Sequence, residues 1–101
     1  MKKNNKLEVA PFDASDYLDS EAVIAEYLTV ALDNPDPDVF LVAVRDVAKA
    51  RGISKVAAAA GLGRESLYKA LKPGAQPRFE TVRRLIGALG VRFDVAPPPN
   101  A

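Results

Sequence analysis

The stretch ISKVAAAAGLGRESLYKALK, residues 53–72, decides the fold of this chain. It contains two short segments joined by a turn, and two short helices joined by a glycine-containing turn form a helix-turn-helix. Ala57 is small where the second helix crosses the first, and Gly61 tolerates the positive φ that the turn requires. Six apolar residues occupy the places that face the core: Val56, Ala60, Leu62, Leu67, Ala70 and Leu71. The stretch therefore predicts a helix-turn-helix.

Two helices are predicted before this motif. The first follows Ser20, which is a typical N-cap, and its apolar residues recur at helical spacing: Ile24, Leu28, Ala31 and Leu32. A break with two prolines at residues 34–37 ends it. Asp36 is expected to cap the second helix, with a proline at its first position. That helix should run to about Ala50 and end at Gly52, and its apolar face is formed by Phe40, Val44, Val47 and Ala48.

The other elements follow from the same kind of pattern. In the motif, the first helix should be capped by Ser54 and cover residues 55–60, and the second should cover residues 64–71. A fifth helix begins at Phe79 and is closed by a glycine, with apolar residues at Val82, Leu85, Ile86 and Leu89. Residues 91–95, VRFDV, alternate apolar and charged side chains, which predicts a strand. The expected fold class is all-α, a five-helix bundle with one short C-terminal β-strand.

The length of 101 residues allows one small domain. We expect an N-terminal tail and arm at residues 1–19, the helix-turn-helix domain with its strand at residues 20–95, and a disordered tail at residues 96–101. Three aromatic side chains at helical spacings are expected in the core rather than on a ligand platform: Tyr17, Phe40 and Phe79.

Composition argues against most catalytic chemistry. The chain has no cysteine and no histidine, which removes disulfides, thiolate metal sites and the commonest general base. No phosphate-binding glycine loop is present. Asp13, Asp16 and Asp19 lack the glycine turn and closing glutamate of a calcium loop. With no apolar run of about 18 residues and no signal peptide, we expect a cytoplasmic protein that is not an enzyme and has no cofactor, metal or membrane partner.

Charge is distributed unevenly along the chain. The net charge is +1, but residues 7–44 hold nine acidic residues and no Lys or Arg. From residue 45 onward, eleven bases face four acids. Such asymmetry indicates two different partners. The basic half suits a polyanion such as DNA, and the acidic half suits a basic protein. The simpler alternative is two solvated faces of one monomer.

The second helix of the motif carries the candidate DNA-reading residues, because that helix enters the major groove with its N-terminal end first. Arg64 lies at the leading end and suits bidentate contact with guanine. Lys69 is a candidate base or phosphate contact, and Tyr68 suits a phosphate or a thymine methyl group. Glu65 either accepts from cytosine or pairs with Lys69 four residues on. Ser66 and Lys72 complete the candidates on this helix.

The start of the first motif helix, with Ser54 and Lys55, suits contact with the DNA backbone. Four bases are candidates for the wider electrostatic footprint: Lys72, Arg78, Arg83 and Arg84. The structural alternative is a bundle that binds only protein and whose basic residues are merely solvated.

The sequence resembles a known family over most of residues 12–95. The resembling stretches are FDASDYLDSEAVIAEYL (12–28), FLVAVRDVAKARGISKVA (40–57), GLGRESLYKALKPGAQPRFETV (61–82) and LIGALGVRFDV (85–95). They are similar to Cro/C1-type (XRE) DNA-binding domains and, more closely, to the probable addiction-module antidote proteins, the HigA-like antitoxins. The resemblance implies a small basic RelE/HigB-like toxin as partner. It also implies repression of the protein's own operon with the toxin as co-repressor.

Two positions depart from the family pattern. Ile53 stands where these domains often carry a phosphate-contacting glutamine, so this contact passes to Ser54 or Lys55. Gly63 replaces the usual serine before the recognition helix and is a weaker cap.

The sequence therefore predicts a type II antitoxin that binds its toxin and represses its operon. The alternative is a stand-alone prophage regulator of the XRE type without a toxin. One helix-turn-helix reads few base pairs, so specificity requires a homodimer on half-sites about 10 bp apart. Residues 91–95 would be an unpaired edge strand in a monomer. We expect them to pair with the second copy or to pack against the toxin.

Overall fold

Five α-helices form the secondary structure of residues 18–99, the part of the chain that the computed structural model describes. They are α1 (Glu21–Leu32), α2 (Pro37–Arg51), α3 (Ile53–Ala59), α4 (Arg64–Leu71) and α5 (Phe79–Ala88). The prediction of an all-α fold with five helices is confirmed. Tyr17, most of the predicted N-terminal arm and the last two residues of the predicted tail lie outside the described residues.

Two predicted N-caps are confirmed. The backbone N–H of Val23 donates to Ser20 Oγ at 3.3 Å, which fixes the start of α1. The N–H of Asp38 donates to Asp36 Oδ1 at 2.9 Å, and a proline occupies the first position of α2. Each cap satisfies a backbone donor that the first helical turn leaves without a partner.

The predicted start of α3 is wrong. The helix begins at Ile53 rather than residue 55, and Ser54 lies inside its first turn instead of capping it. Gly52, with φ of 104°, ends α2 and at the same time precedes α3. Its carbonyl oxygen accepts the N–H of Val56 at 2.9 Å. Because one glycine serves both helices, no separate linker with a serine cap is needed.

The core lies between α2 and its neighbours. Helices α1, α3 and α4 all pack against α2, and α3 also contacts α4 and α5. The predicted apolar face of α2 is buried. Two residues predicted from helical spacing to be apolar anchors are instead largely exposed, Leu32 at 52% and Phe79 at 65%. Both lie at the end of a helix, where spacing alone does not tell whether another element covers the side chain.

The predicted C-terminal strand is also wrong for this structure. Residues 91–95 form no β-strand, and no strand occurs elsewhere in residues 18–99. A strand needs a neighbouring strand for its backbone hydrogen bonds, and the described chain supplies none. Instead, the ring of Phe93 lies between Phe79 and Phe40, with centroid distances of 5.8 and 6.1 Å. Val95 remains 97% exposed.

The turn between α3 and α4 depends on two glycines in different conformations. Gly61 has φ of 73°, and the next residue, Leu62, donates its N–H to the carbonyl of Ala57 at 2.8 Å. Gly63 has φ of −78° and ψ of 162°, an extended N-cap conformation that any residue adopts. A Cβ atom added at either glycine meets nothing within 4 Å. Only the backbone of Gly61 therefore requires glycine.

Helices α1 and α2 are joined by a polar contact as well as by apolar packing. The hydroxyl of Tyr27 donates to Asp46 Oδ2 at 3.3 Å, and both side chains are partly buried. Burial, followed by the charge and the hydrogen bond of Asp46, raises the pKa of Tyr27. The phenol therefore stays protonated and keeps donating at physiological pH.

We predict opposite effects for serine at the two turn glycines. Gly61→Ser should lower the free energy of unfolding by about 1–2 kcal/mol, because the residue is held at positive φ. Gly63→Ser should raise it by about 0.5–1 kcal/mol, because serine is the better N-cap and lowers the entropy of the unfolded chain. Urea denaturation of both variants measures the difference. Equal effects of the two substitutions would contradict the conclusion that Gly61, but not Gly63, requires glycine.

We also predict an alkaline titration for Tyr27. The difference between the tyrosinate absorbance curves of the wild type and Tyr27→Phe should have its midpoint above the ordinary value of 10.0. Because the pKa is raised in the folded state, the stabilisation from this contact is complete below the unfolded pKa and is lost as the pH rises through the folded pKa. A difference curve centred at or below 10.0 would contradict the partly buried position of Tyr27 beside Asp46.

Candidate nucleic-acid interface

Helices α3 and α4 form a two-helix unit. Both of them pack against α2, and α3 also contacts α5. Ala57 is buried, as the crossing of the two helices requires. Leu67 and Leu71 anchor α4 with fully buried side chains. Around the turn, Val56 and Ala60 are also buried, and Leu62 and Ala70 are partly buried. The motif therefore buries one face of α4 and leaves the opposite face to solvent.

That opposite face carries the candidate DNA-reading side chains. Residues 64–66, which form the first turn of α4, are exposed, and so are Lys69 and the following Lys72. Tyr68 is half-buried at the edge of this surface. No side chain caps the start of α4. The polar surface of α4 therefore combines a leading arginine, a carboxylate, a hydroxyl and a lysine.

The intramolecular alternative for Glu65 is not realised in the structure. Among residues 18–99, the salt bridges join Arg51 to Glu21 at 3.5 Å and Arg84 to Glu80 at 3.0 Å. Neither involves Glu65, although Lys69 lies one turn away on the same helix. In this structure, the described part of the chain holds neither side chain in an ion pair, so both remain accessible to a ligand.

The first turn of α3 places one apolar residue against the core and two polar residues on the surface. Ile53 is partly buried and packs against the core. Its side chain therefore contributes to the core and adds no polar group to this turn. The neighbouring Ser54 and Lys55 are both exposed, and they are the polar side chains that this turn offers.

Tertiary packing places two further polar residues, Gln76 and Thr81, beside the candidate surface of α4, and the sequence did not predict them. A small groove of about 290 Å³ brings Ser66 and Lys69 of α4 next to Gln76 of the following loop and Thr81 of α5. No local motif marks either of these residues, because the loop and α5 bring them beside α4 only in the folded chain. Arg84 lies one turn beyond Thr81 on α5 and is held by Glu80.

The remaining candidates for the electrostatic footprint are Arg78 and Arg83, and both are exposed. They flank and follow the start of α5, whose first turn also carries Glu80. Within residues 18–99, no group of three or more side chains is arranged to hold a metal ion. None of the helices in this described part of the chain is long and apolar enough to cross a membrane.

Comparison with known proteins places this architecture in a family. The sequence model of the family described as "Probable addiction module antidote protein" matches residues 8–97. A protein of Haemophilus influenzae, described as uncharacterized, is 39% identical over 88 residues, which is 87% of this chain and 91% of that protein. No solved structure was found to match. Because the family match covers nearly the whole chain, this protein belongs to the family of probable addiction module antidote proteins.

Proposed function

We propose that this protein is the antitoxin of a type II toxin–antitoxin system. In this proposal it neutralises a small basic RelE/HigB-like toxin by direct binding and represses its own operon by sequence-specific DNA binding. It would thus be a HigA-like antitoxin with a DNA-binding domain of the XRE or Cro/C1 type. The observation that carries the DNA-binding part is the exposed polar face of α4 on a two-helix unit with a glycine turn.

The chemistry of this face supports DNA reading. Arg64 leads α4, and a guanidinium group suits the O6 and N7 acceptors of guanine. Lys69 lies just over one turn later on the exposed side, at the reach of a base edge or a phosphate. Ser66 and Tyr68 add hydroxyl groups, and Glu65 suits the amino group of cytosine. In this arrangement α4 enters the major groove with its N-terminal end first.

Contacts with the sugar-phosphate backbone of the DNA would fix the register of the domain on the duplex. Ser54 and Lys55 are exposed in the first turn of α3, and in helix-turn-helix proteins the first helix crosses the DNA backbone. Lys72 follows α4 directly, and Arg78 precedes α5. Such contacts carry affinity rather than sequence information, so their loss should weaken binding on any DNA.

A homodimer would contact two half-sites on the DNA instead of one, and so would read a longer sequence. Residues 91–95 form no strand in the single chain, and Val95 is almost fully exposed. We propose that these residues pair with the same segment of a second copy, which would supply the missing backbone partners. The two recognition helices would then meet half-sites about one helical turn apart.

The toxin partner is supported by the family and by charge. Antidote proteins act on a toxin, and residues 7–44 of this chain carry nine acidic residues without any Lys or Arg. A basic toxin complements this segment electrostatically, which favours fast and selective association. The basic remainder of the chain stays available to DNA.

The DNA-binding proposal predicts a selective loss in variants of α4. On the DNA upstream of the protein's own gene, Arg64→Ala should weaken binding by about 1–3 kcal/mol and relax discrimination against scrambled DNA. Lys69→Ala should also weaken binding and reduce its salt dependence if it contacts phosphate. Lys49→Ala, an exposed lysine on α2, is the matched control and should change little. Titrations at two salt concentrations measure all three variants, and equal affinity for scrambled DNA would refute sequence-specific repression by the free protein.

The dimer proposal predicts self-association that depends on Val95. Sedimentation equilibrium should find a dimer at micromolar concentration. Val95→Asp should raise the dimer dissociation constant by about tenfold or more, because it would place a charge in the proposed apolar contact between the two copies. Val30→Asp makes the same change at a valine of α1 that is 68% exposed, and it should leave the dimer intact. A monomeric wild type would contradict the proposal.

A further inference from the structure

A groove of about 650 Å³ lies between α1 and the N-terminal half of α2, away from α3 and α4. Its walls include apolar side chains that no other part of the described chain covers. Val30 of α1 is 68% exposed and Val39 of α2 is 37% exposed. Exposed apolar side chains gathered in one concave surface are typical of a site that another molecule covers.

Four acidic side chains surround these apolar residues: Glu26, Asp36, Asp38 and Asp46. Among residues 18–99, no lysine or arginine lines the groove. The two salt bridges found within residues 18–99 also involve none of these four acids. The groove therefore combines an apolar surface with negative charge that the described chain does not neutralise.

Three of the four carboxylates are held in place by neutral donors. Asp36 accepts the backbone N–H of Asp38 at 2.9 Å, and Asp38 in turn accepts the N–H of Gly74 at 2.9 Å. Asp46 accepts the hydroxyl of Tyr27 at 3.3 Å. These donors fix the positions of the carboxylates but leave their charge in place. The fourth, Glu26, makes no hydrogen bond or salt bridge within the described residues.

We propose that this groove docks an amphipathic helix of the basic partner toxin, with apolar residues facing Val30 and Val39 and Lys or Arg residues facing the carboxylates. The proposal rests on the toxin-binding function proposed above and names the surface that performs it. A helix with apolar anchors at i, i+3, i+4 and i+7 fits an apolar groove. Acidic residues at the edge of the groove select a positively charged helix over other apolar segments.

The position of the groove allows partner and DNA to bind at the same time. Its lining comes from α1, α2 and the loop between them, and it includes no residue of α3 or α4. The surface proposed to read DNA therefore stays free when the groove is occupied. A toxin bound there would remain on the operator together with the antitoxin.

Helix α1 offers matched variants for the test. Glu26→Lys and Val30→Lys change the groove, and neither side chain makes a hydrogen bond or salt bridge with the rest of residues 18–99. Asp33→Lys and Leu32→Lys also replace an acidic and an apolar residue by lysine, at exposed positions at the C-terminal end of α1 and outside the groove. Each groove variant should weaken binding of the co-purified product of the adjacent small gene by about tenfold or more. The control variants should change it by less than about twofold.

A second measurement tests the groove without the toxin. An amphipathic helical peptide of leucine and lysine, about 18 residues long, is added to the isotope-labelled full-length protein. Amide shifts confined to α1 and the first half of α2, and lost in Val30→Lys, support the proposal. Shifts elsewhere, or shifts that persist in Val30→Lys, overturn it.

The outcomes separate this inference from the function on which it rests. If the adjacent gene product does not bind the wild type, the proposed toxin partner fails, and the peptide measurement decides the groove alone. If it binds the wild type and all four variants equally, the antitoxin function stands and the groove proposal is overturned. If Val30→Lys instead lowers stability or breaks a dimer, this chain's own N-terminal residues or a second copy occupies the groove, and the proposal is likewise overturned.

Discussion

The burial of one face of α2 is the constraint on which the rest of the structure depends. Val44, Val47 and Ala48 are completely buried, and α1, α3 and α4 all pack on this helix. A chain of this length has room for a single apolar core. The groove between α1 and α2 and the two-helix unit of α3 and α4 therefore both depend on contacts with α2. A core substitution such as Val44→Ala would loosen both surfaces, because each of them includes helices that rest on α2.

Local sequence signals predicted the helices well. Ser20 and Asp36 mark helix starts because an N-cap is a contact between a side chain and a backbone two or three residues away, so the sequence alone contains it. The turn at Gly61 was predicted for the same reason, since its positive φ is a property of one residue. The prediction that Ser54 caps α3 was wrong, because Gly52 already joins α2 to α3 and stands at the N-cap position itself.

Features that depend on tertiary neighbours were harder to predict. Phe79 has helical spacing, but its exposure depends on which residues lie across from the end of α5. The alternation of residues 91–95 is a true pattern, yet a strand exists only with a partner strand. Gln76 and Thr81 lie beside α4 through packing that no motif records. The acidic groove is similar, because its four carboxylates come from three elements and are unevenly spaced along the chain.

The hydrogen bond between Asp38 and Gly74 has a consequence for how this sequence can evolve. One carboxylate supplies charge at the edge of the groove and also holds the loop that follows α4. Asparagine at position 38 would keep an acceptor for the loop and remove the charge, whereas glutamate would keep the charge and move the acceptor. Among these changes, only asparagine alters the charge at the groove and still keeps an acceptor for the N–H of Gly74, so any larger change at this position would disturb the loop after α4. Substitutions at position 38 other than asparagine are therefore expected to occur together with changes in the loop around Gly74.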